Sequence, residues 1–107
     1  MRILLDECMP RPLKRLLSGY GVRTVREMGW SGQRNGELLA LMAQAGIEVL
    51  LTVDQNLLHQ QNLAAAGVAV VVMIAISNRP RHLAPLVPGV EAALIGIQPG
   101  EVVEVGN

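Results

Sequence analysis

Two aspartates carry the chemical argument of this 107-residue sequence. Asp6 follows the apolar run Ile3-Leu4-Leu5, and Asp54 follows Ile47 to Thr52. They are the only aspartates in the chain, and each falls where a buried strand is expected to end. Glu7 stands beside the first, Thr52 precedes the second by two, and Ser77-Asn78 follow a third apolar run, Val68 to Ile76. Glu37 is a further candidate because it falls in the first turn of an expected helix, where the helix dipole favours a carboxylate. In an open α/β sheet, ligands bind beyond the carboxyl ends of the strands. Asp6, Glu37 and Asp54 are therefore expected to converge there. Converging carboxylates repel one another unless a cation joins them. Mg²⁺ or Mn²⁺ takes oxygen ligands, keeps several waters and can activate one of them against a phosphodiester. The plainer alternative is that Asp54 caps the helix starting at Gln55 and Asp6 caps a turn.

The elements that would position these groups can be read from hydrophobic spacing. Ile3–Leu5, Val22–Val25, Ile47–Thr52, Val68–Ile76 and Val102–Val105 read as strands. Between them, Leu13, Leu16, Leu17 and Tyr20 mark one helical face, as do Leu38, Leu41, Met42 and Ala45, with Asn35 as the expected N-cap. Gln55 to Ala66 reads as a helix stopped by Gly67. Pro80, Pro85 and Pro88 chop the next segment, and Val90, Ala93, Leu94 and Ile97 suggest a short last helix. This β-α alternation predicts one domain over residues 1–107. Its architecture is a three-layer α/β/α sandwich around a mostly parallel sheet of about five strands.

Composition narrows the classes. Half the residues are hydrophobic, yet Phe is absent and Trp and Tyr occur once each, so an aromatic platform for single-stranded nucleic acid is not expected. Nine basic residues balance nine acidic ones, so any nucleic acid must be met by a local patch or a metal. Arg79 and Arg81, just after the fourth strand, are placed at the carboxyl edge to meet phosphate. Arg11, Lys14 and Arg15 read either as phosphate contacts or as an ordinary solvated helix face. Cys8 is the only cysteine, which excludes an internal disulfide and a thiolate zinc site and reads as packing. His59 and His82 have no second ligand at metal spacing. No apolar run is long enough for a signal peptide or a membrane span, so a cytoplasmic protein is expected.

Four segments resemble, in order, the small PIN-like proteins grouped as the DUF5615 or Mut7-C-like family. Ile3-Leu4-Leu5-Asp6-Glu7-Cys8-Met9-Pro10 resembles that family's opening "ILLDENLP". Gly29-Trp30-Ser31-Gly32 with Glu37 to Ala43 is similar to its "GLSG…DEEILALA". Leu50 to Leu57 is similar to "LVTKDKDF", and Gln98 to Val105 to "PG.VVEV". The resemblance implies a PIN-like fold and a Mg²⁺- or Mn²⁺-dependent ribonuclease, often the toxin of a toxin–antitoxin pair. RNA, an antitoxin protein and a homodimer are the partners implied. Asp6 and Asp54 would be the principal ligands, with Glu7 and Glu37 matching neighbouring acids. Asn35 and Asn56 stand where the family has aspartates, and Leu57 where it has Phe. An asparagine brings a carbonyl oxygen but no charge, so such a site holds its ion more weakly. That departure motivates a second reading, a PIN-like binding module with little or no catalysis. A third is the phospho-receiver outline of Asp6, Glu7, Asp54 and Ser77, which lacks the lysine such a domain places after its fifth strand.

Overall fold

A computed structural model describes residues 1–56 and 63–106. Five strands form one sheet: β1 (Arg2–Leu5), β2 (Gly21–Thr24), β3 (Val49–Thr52), β4 (Ala69–Ile74) and β5 (Val102–Gly106). All four pairings are parallel, in the order β2-β1-β3-β4-β5. The helices are α1 (Leu13–Leu16), α2 (Asn35–Ala45), α3 (Leu63–Ala66), α4 (Pro80–Leu83) and α5 (Val87–Leu94), with a 3₁₀ turn at Ala84–Leu86. The expected α/β class, parallel sheet and five strands are all present.

Alternation along the strands builds two cores. Ile3, Leu5, Val49, Leu51, Val71 and Met73 face one side, where Leu13 and Leu17 pack together with Leu83, Leu86, Val90 and Leu94. Leu4, Leu50, Val70 and Val72 face the other, against Leu38, Leu39 and Met42 of α2 and Leu63 of α3. The three central strands are thus apolar on both faces, as parallel strands covered by helices must be.

The expected helices need two corrections. α1 is a single turn: Leu13 and Leu17 are buried, but Leu16 is 49% exposed and the helix stops before Tyr20. Arg34, not Asn35, occupies the N-cap of α2. Its extended backbone turns the chain one residue earlier, and Leu38 N already donates to Arg34 O at 2.8 Å. Of the helix expected over Gln55–Ala66, the end at Leu63–Ala66 is α-helical; residues 57–62, including Leu57 and His59, lie outside the described residues. The prolines do chop their segment, each beginning a new turn. Pro80, Pro85 and Pro88 sit at the first or second position of α4, the 3₁₀ turn and α5, where a missing N–H costs little.

The last crossover differs from the others. β1 to β2 moves toward one sheet edge with α1 on the first face. β2 to β3 and β3 to β4 move the opposite way with α2 and α3 on the second face. Reversing both direction and face preserves the hand, so these three connections agree. β4 to β5 also moves away from the β2 edge, but its helices lie on the α1 face, so its hand is opposite. Right-handed crossovers account for nearly all such units, which makes this fourth one the exception. Its consequence is local. The chain leaving β4 turns over the β1–α1 loop, where Asn78 Nδ2 donates to Cys8 O at 2.8 Å.

Candidate functional site

Strand register places the acids. β1 and β3 are neighbours with Leu5 opposite Leu51, so the next residues, Asp6 and Thr52, emerge side by side. Asp6 N donates to Leu51 O at 3.0 Å, one step beyond the paired residues. Connections leave β1 toward β2 and β3 toward β4, so the β1/β3 junction is where the sheet order reverses. That is the crevice where open α/β sheets bind ligands.

Thr52 joins the two aspartates. It is fully buried, and its Oγ1 donates to Asp6 Oδ2 at 2.7 Å while accepting Asp54 N at 3.0 Å. Both capacities of the hydroxyl are thus used toward the rim. The loop is held from other directions too: Glu7 N donates to Asp6 Oδ1 at 2.8 Å, and Met9 N to Asp6 O at 2.9 Å. Asp54 Oδ1 accepts Asn56 N at 2.9 Å, a local bond of the kind a helix cap makes; the helix it is expected to cap runs into residues 57–62, which lie outside the described residues. The bond uses one oxygen of the carboxylate and leaves further acceptor positions on the group.

Cys8 belongs to this cluster. Its thiol sits 3.8 Å from both Asp6 Oδ2 and Thr52 Oγ1. Burial of the sulfur pushes the thiol above its ordinary pKa, the Val53 N–H pulls it down, and the neighbouring Asp6 carboxylate pushes it up again. A raised pKa disfavours the thiolate, so Cys8 is a poor nucleophile at neutral pH.

The other expected residues are placed as follows. Glu7 is exposed, and its Oε1 accepts Gly32 N at 3.1 Å, tying the rim to the loop before α2. Glu37 is exposed in the first turn of α2. Among the described residues no three His, Cys, Asp or Glu side chains are grouped closely enough to hold a metal ion, so Glu37 does not join Asp6 and Asp54. Asn35 is half-buried and Asn56 exposed. Arg79 and Arg81 are exposed at the start of α4. Ser77 Oγ is hydrogen-bonded to His82 Nδ1 and accepts Arg79 N at 3.1 Å, so this pair secures the turn into α4.

Two surface depressions meet at Arg11. One, of about 570 Å³, opens between the carboxyl ends of β1 and β2 and is lined by Asp6, Glu7, Met9, Arg11, Arg26 and Ser31, among others. The other, of about 730 Å³, runs along α1 and is lined by Arg11, Pro12, Lys14, Arg15, Ser18, Tyr20 and Val22. Lys14 Nζ is held by both carboxylate oxygens of Glu27, at 2.9 and 2.8 Å. Glu27 also accepts Thr24 N, and Thr24 Oγ1 accepts Glu27 N, a reciprocal pair of the capping-box kind. Lys14 and then the Thr24 N–H hold the Glu27 carboxyl down at about 2. The spacing Thr24-x-x-Glu27 signals that pair in the sequence; nothing in the sequence signals Lys14 as its third member.

Protein-family models, curated proteins and solved structures were each searched, and none matches this chain. Among the described residues no helix is long and apolar enough to cross a membrane.

Proposed function

We propose that this chain is a PIN-like, divalent-metal-dependent ribonuclease that works at the β1/β3 junction. One observation carries the reading. A buried threonine links Asp6 to the Asp54 backbone at the sheet's switch point, and Asp6 lines a cavity that shares Arg11 with a basic groove.

The donor set fits a hard cation in its chemistry. Asp6 and Asp54 offer carboxylate oxygens with unused acceptor positions, and Mg²⁺ is commonly held by one or two carboxylates with waters and substrate phosphates completing its shell. Such an ion, when bound, lowers the pKa of a water and neutralises charge on a phosphodiester oxygen. Asp6 and Asp54 would hold it. Thr52 orients Asp6 through its hydroxyl, and the Glu7 and Met9 N–H groups limit the loop's freedom. Glu7, pinned by Gly32, is a neighbouring acid rather than a ligand, and Glu37 would assist only through solvent. Arg11 is placed to draw substrate phosphate into the cavity, with Arg79 and Arg81 on the loop that Asn78 ties to Cys8.

The test is cleavage of a mixed-sequence RNA in millimolar Mn²⁺ against the same assay in EDTA, with the Asp54→Asn variant alongside. Metal-dependent cleavage that falls in the variant supports the reading. If Mn²⁺ neither supports cleavage nor shifts the melting temperature, the enzyme reading fails and the PIN-like binding module takes its place. On the same proposal the protein is the cytoplasmic toxin of a toxin–antitoxin pair and forms a homodimer. Co-expression with the product of an adjacent gene and light scattering test those parts.

The strand order favours a second reading, since phospho-receivers share it. Against it, the chain's one lysine is Lys14, engaged by Glu27, and the last crossover runs on the opposite face from α2 and α3. Acetyl phosphate labelling of Asp54 would establish the receiver; unmodified protein dismisses it.

A further inference from the structure

The groove along α1 accounts for residues that the acidic rim does not use. It gathers Arg11, Lys14 and Arg15 in a chain whose formal charge is zero overall, so it is a local concentration of base rather than a sample of a basic surface. Lys14 is the only cation paired with an acid within 4 Å among the described residues. Arg11 and Arg15 are exposed and keep their guanidinium groups for another partner. Tyr20 is half-buried: its ring packs on the core from one side and lines the groove from the other. A cationic track beside an aromatic ring is the arrangement that holds a flexible nucleic-acid strand, phosphates on the bases and a base against the ring. Arg11 lines both this groove and the Asp6 cavity, so the two depressions adjoin at its side chain.

We infer that this groove carries single-stranded nucleic acid, with one phosphate on Arg11, the next on Arg15, and one base stacked on Tyr20. The inference rests on the ribonuclease reading only for where the strand leads, toward Asp6; the binding itself requires no cleavage. Composition excludes a platform of several aromatics, and a single ring gives a single stacked base. Sequence tolerance follows, because every base has a π-face. Near Asp6 and Glu7 a polyanion meets like charge, so the attraction that holds it must come from the α1 side.

The test is fluorescence anisotropy of a short, fluorescein-labelled, mixed-sequence RNA in EDTA, read across a KCl series, with its annealed duplex as comparison. Arg11→Gln and Arg15→Gln should each weaken single-strand binding about tenfold and lower the salt slope by about 0.7. Tyr20→Leu should weaken it about fivefold or more, whereas Tyr20→Phe, which keeps the ring, should restore it. Arg23→Gln, the same charge change on an exposed β2 residue one step from Val22 and so on the opposite sheet face, should bind as the parent does. The groove is overturned if Arg11→Gln and Arg15→Gln bind like the parent, if Arg23→Gln weakens binding equally, or if the duplex binds as well as the single strand. Binding that depends on Arg11 and Arg15 with no cleavage in Mn²⁺ leaves the groove standing and removes the ribonuclease. Metal-dependent cleavage with groove variants unaffected does the reverse.

Discussion

The two ends of the β1–β3 pair treat their charges differently. At the amino end, Arg2 Nη1 donates to Ala45 O at 2.6 Å, and Arg2 N donates to Glu48 Oε1 at 3.3 Å. A cation there meets the carbonyl end of α2, where the helix dipole favours it. Gly46 closes that helix with a positive φ of 72°, and the Arg2 guanidinium lies 3.2 Å from where a Cβ would stand. The protein supplies the partners for its own charge. At the carboxyl end, Asp6 and Asp54 are oriented by Thr52 and backbone N–H groups, and no Lys, Arg or His lies within 4 Å of either among the described residues. One rim is finished by the fold, and the other is held rigid with anionic capacity left over. The ribonuclease proposal rests on that difference.

The largest effect expected from breaking this contrast is on activity. Asp6→Asn keeps the shape of the side chain, removes its charge and turns an NH₂ toward either the Thr52 hydroxyl or the Glu7 N–H; Mn²⁺-dependent RNA cleavage should fall about 100-fold, with a melting temperature lowered by the lost acceptor. Retained activity would place the chemistry elsewhere. Thr52→Val comes next. It removes a buried hydroxyl that serves Asp6 and the Asp54 N–H, and should cost about 2 kcal/mol in chemical denaturation while lowering cleavage. Arg2→Ala should cost about 1 kcal/mol and leave cleavage unchanged. If cleavage fell as it does for Thr52→Val, the two rims would not be distinct in function.

The smallest effect concerns Glu27. Its carboxyl titrates at about 2 in the fold against an ordinary 4.5. The folded value is depressed, so its stabilisation is complete above about pH 4.5 and is lost as pH falls toward 2. Because the pair with Lys14 is about a third exposed on each side, solvent screens it and the effect is modest. Comparing melting temperatures of the parent and Glu27→Gln across that interval should show the gap closing as the solution is acidified. A gap independent of pH contradicts the assignment.

Much of this was legible in the sequence. Continuous Val, Leu and Ile runs announced buried parallel strands, and glycine and proline punctuation separated them. The strand ends placed Asp6, Thr52 and Asp54 on the carboxyl rim. Lateral order was not legible, because hydrophobic runs say that a strand is buried but not which strand it pairs with; only pairing puts Thr52 beside Asp6. The expectation for Glu37 depended on a first-turn side chain reaching the rim from a helix whose entry angle the sequence does not state. The exceptional hand of the last crossover, which brings Asn78 to Cys8, follows from the face on which α4 and α5 dock. Val90 and Leu94 declare an apolar stripe, not a side of the sheet.

The central claim is that Asp6 and Asp54 share a cation. Paramagnetic broadening by substoichiometric Mn²⁺ in ¹⁵N-resolved NMR spectra measures it directly, residue by residue. The amides of Asp6, Glu7, Cys8, Val53 and Asp54 should broaden first and together, recover when Mn²⁺ is chelated, and stay sharp in Asp6→Asn, while Arg2, Ala45 and Glu48 remain unaffected. Broadening that starts elsewhere, or that leaves Asp6 sharp at millimolar Mn²⁺, would contradict it.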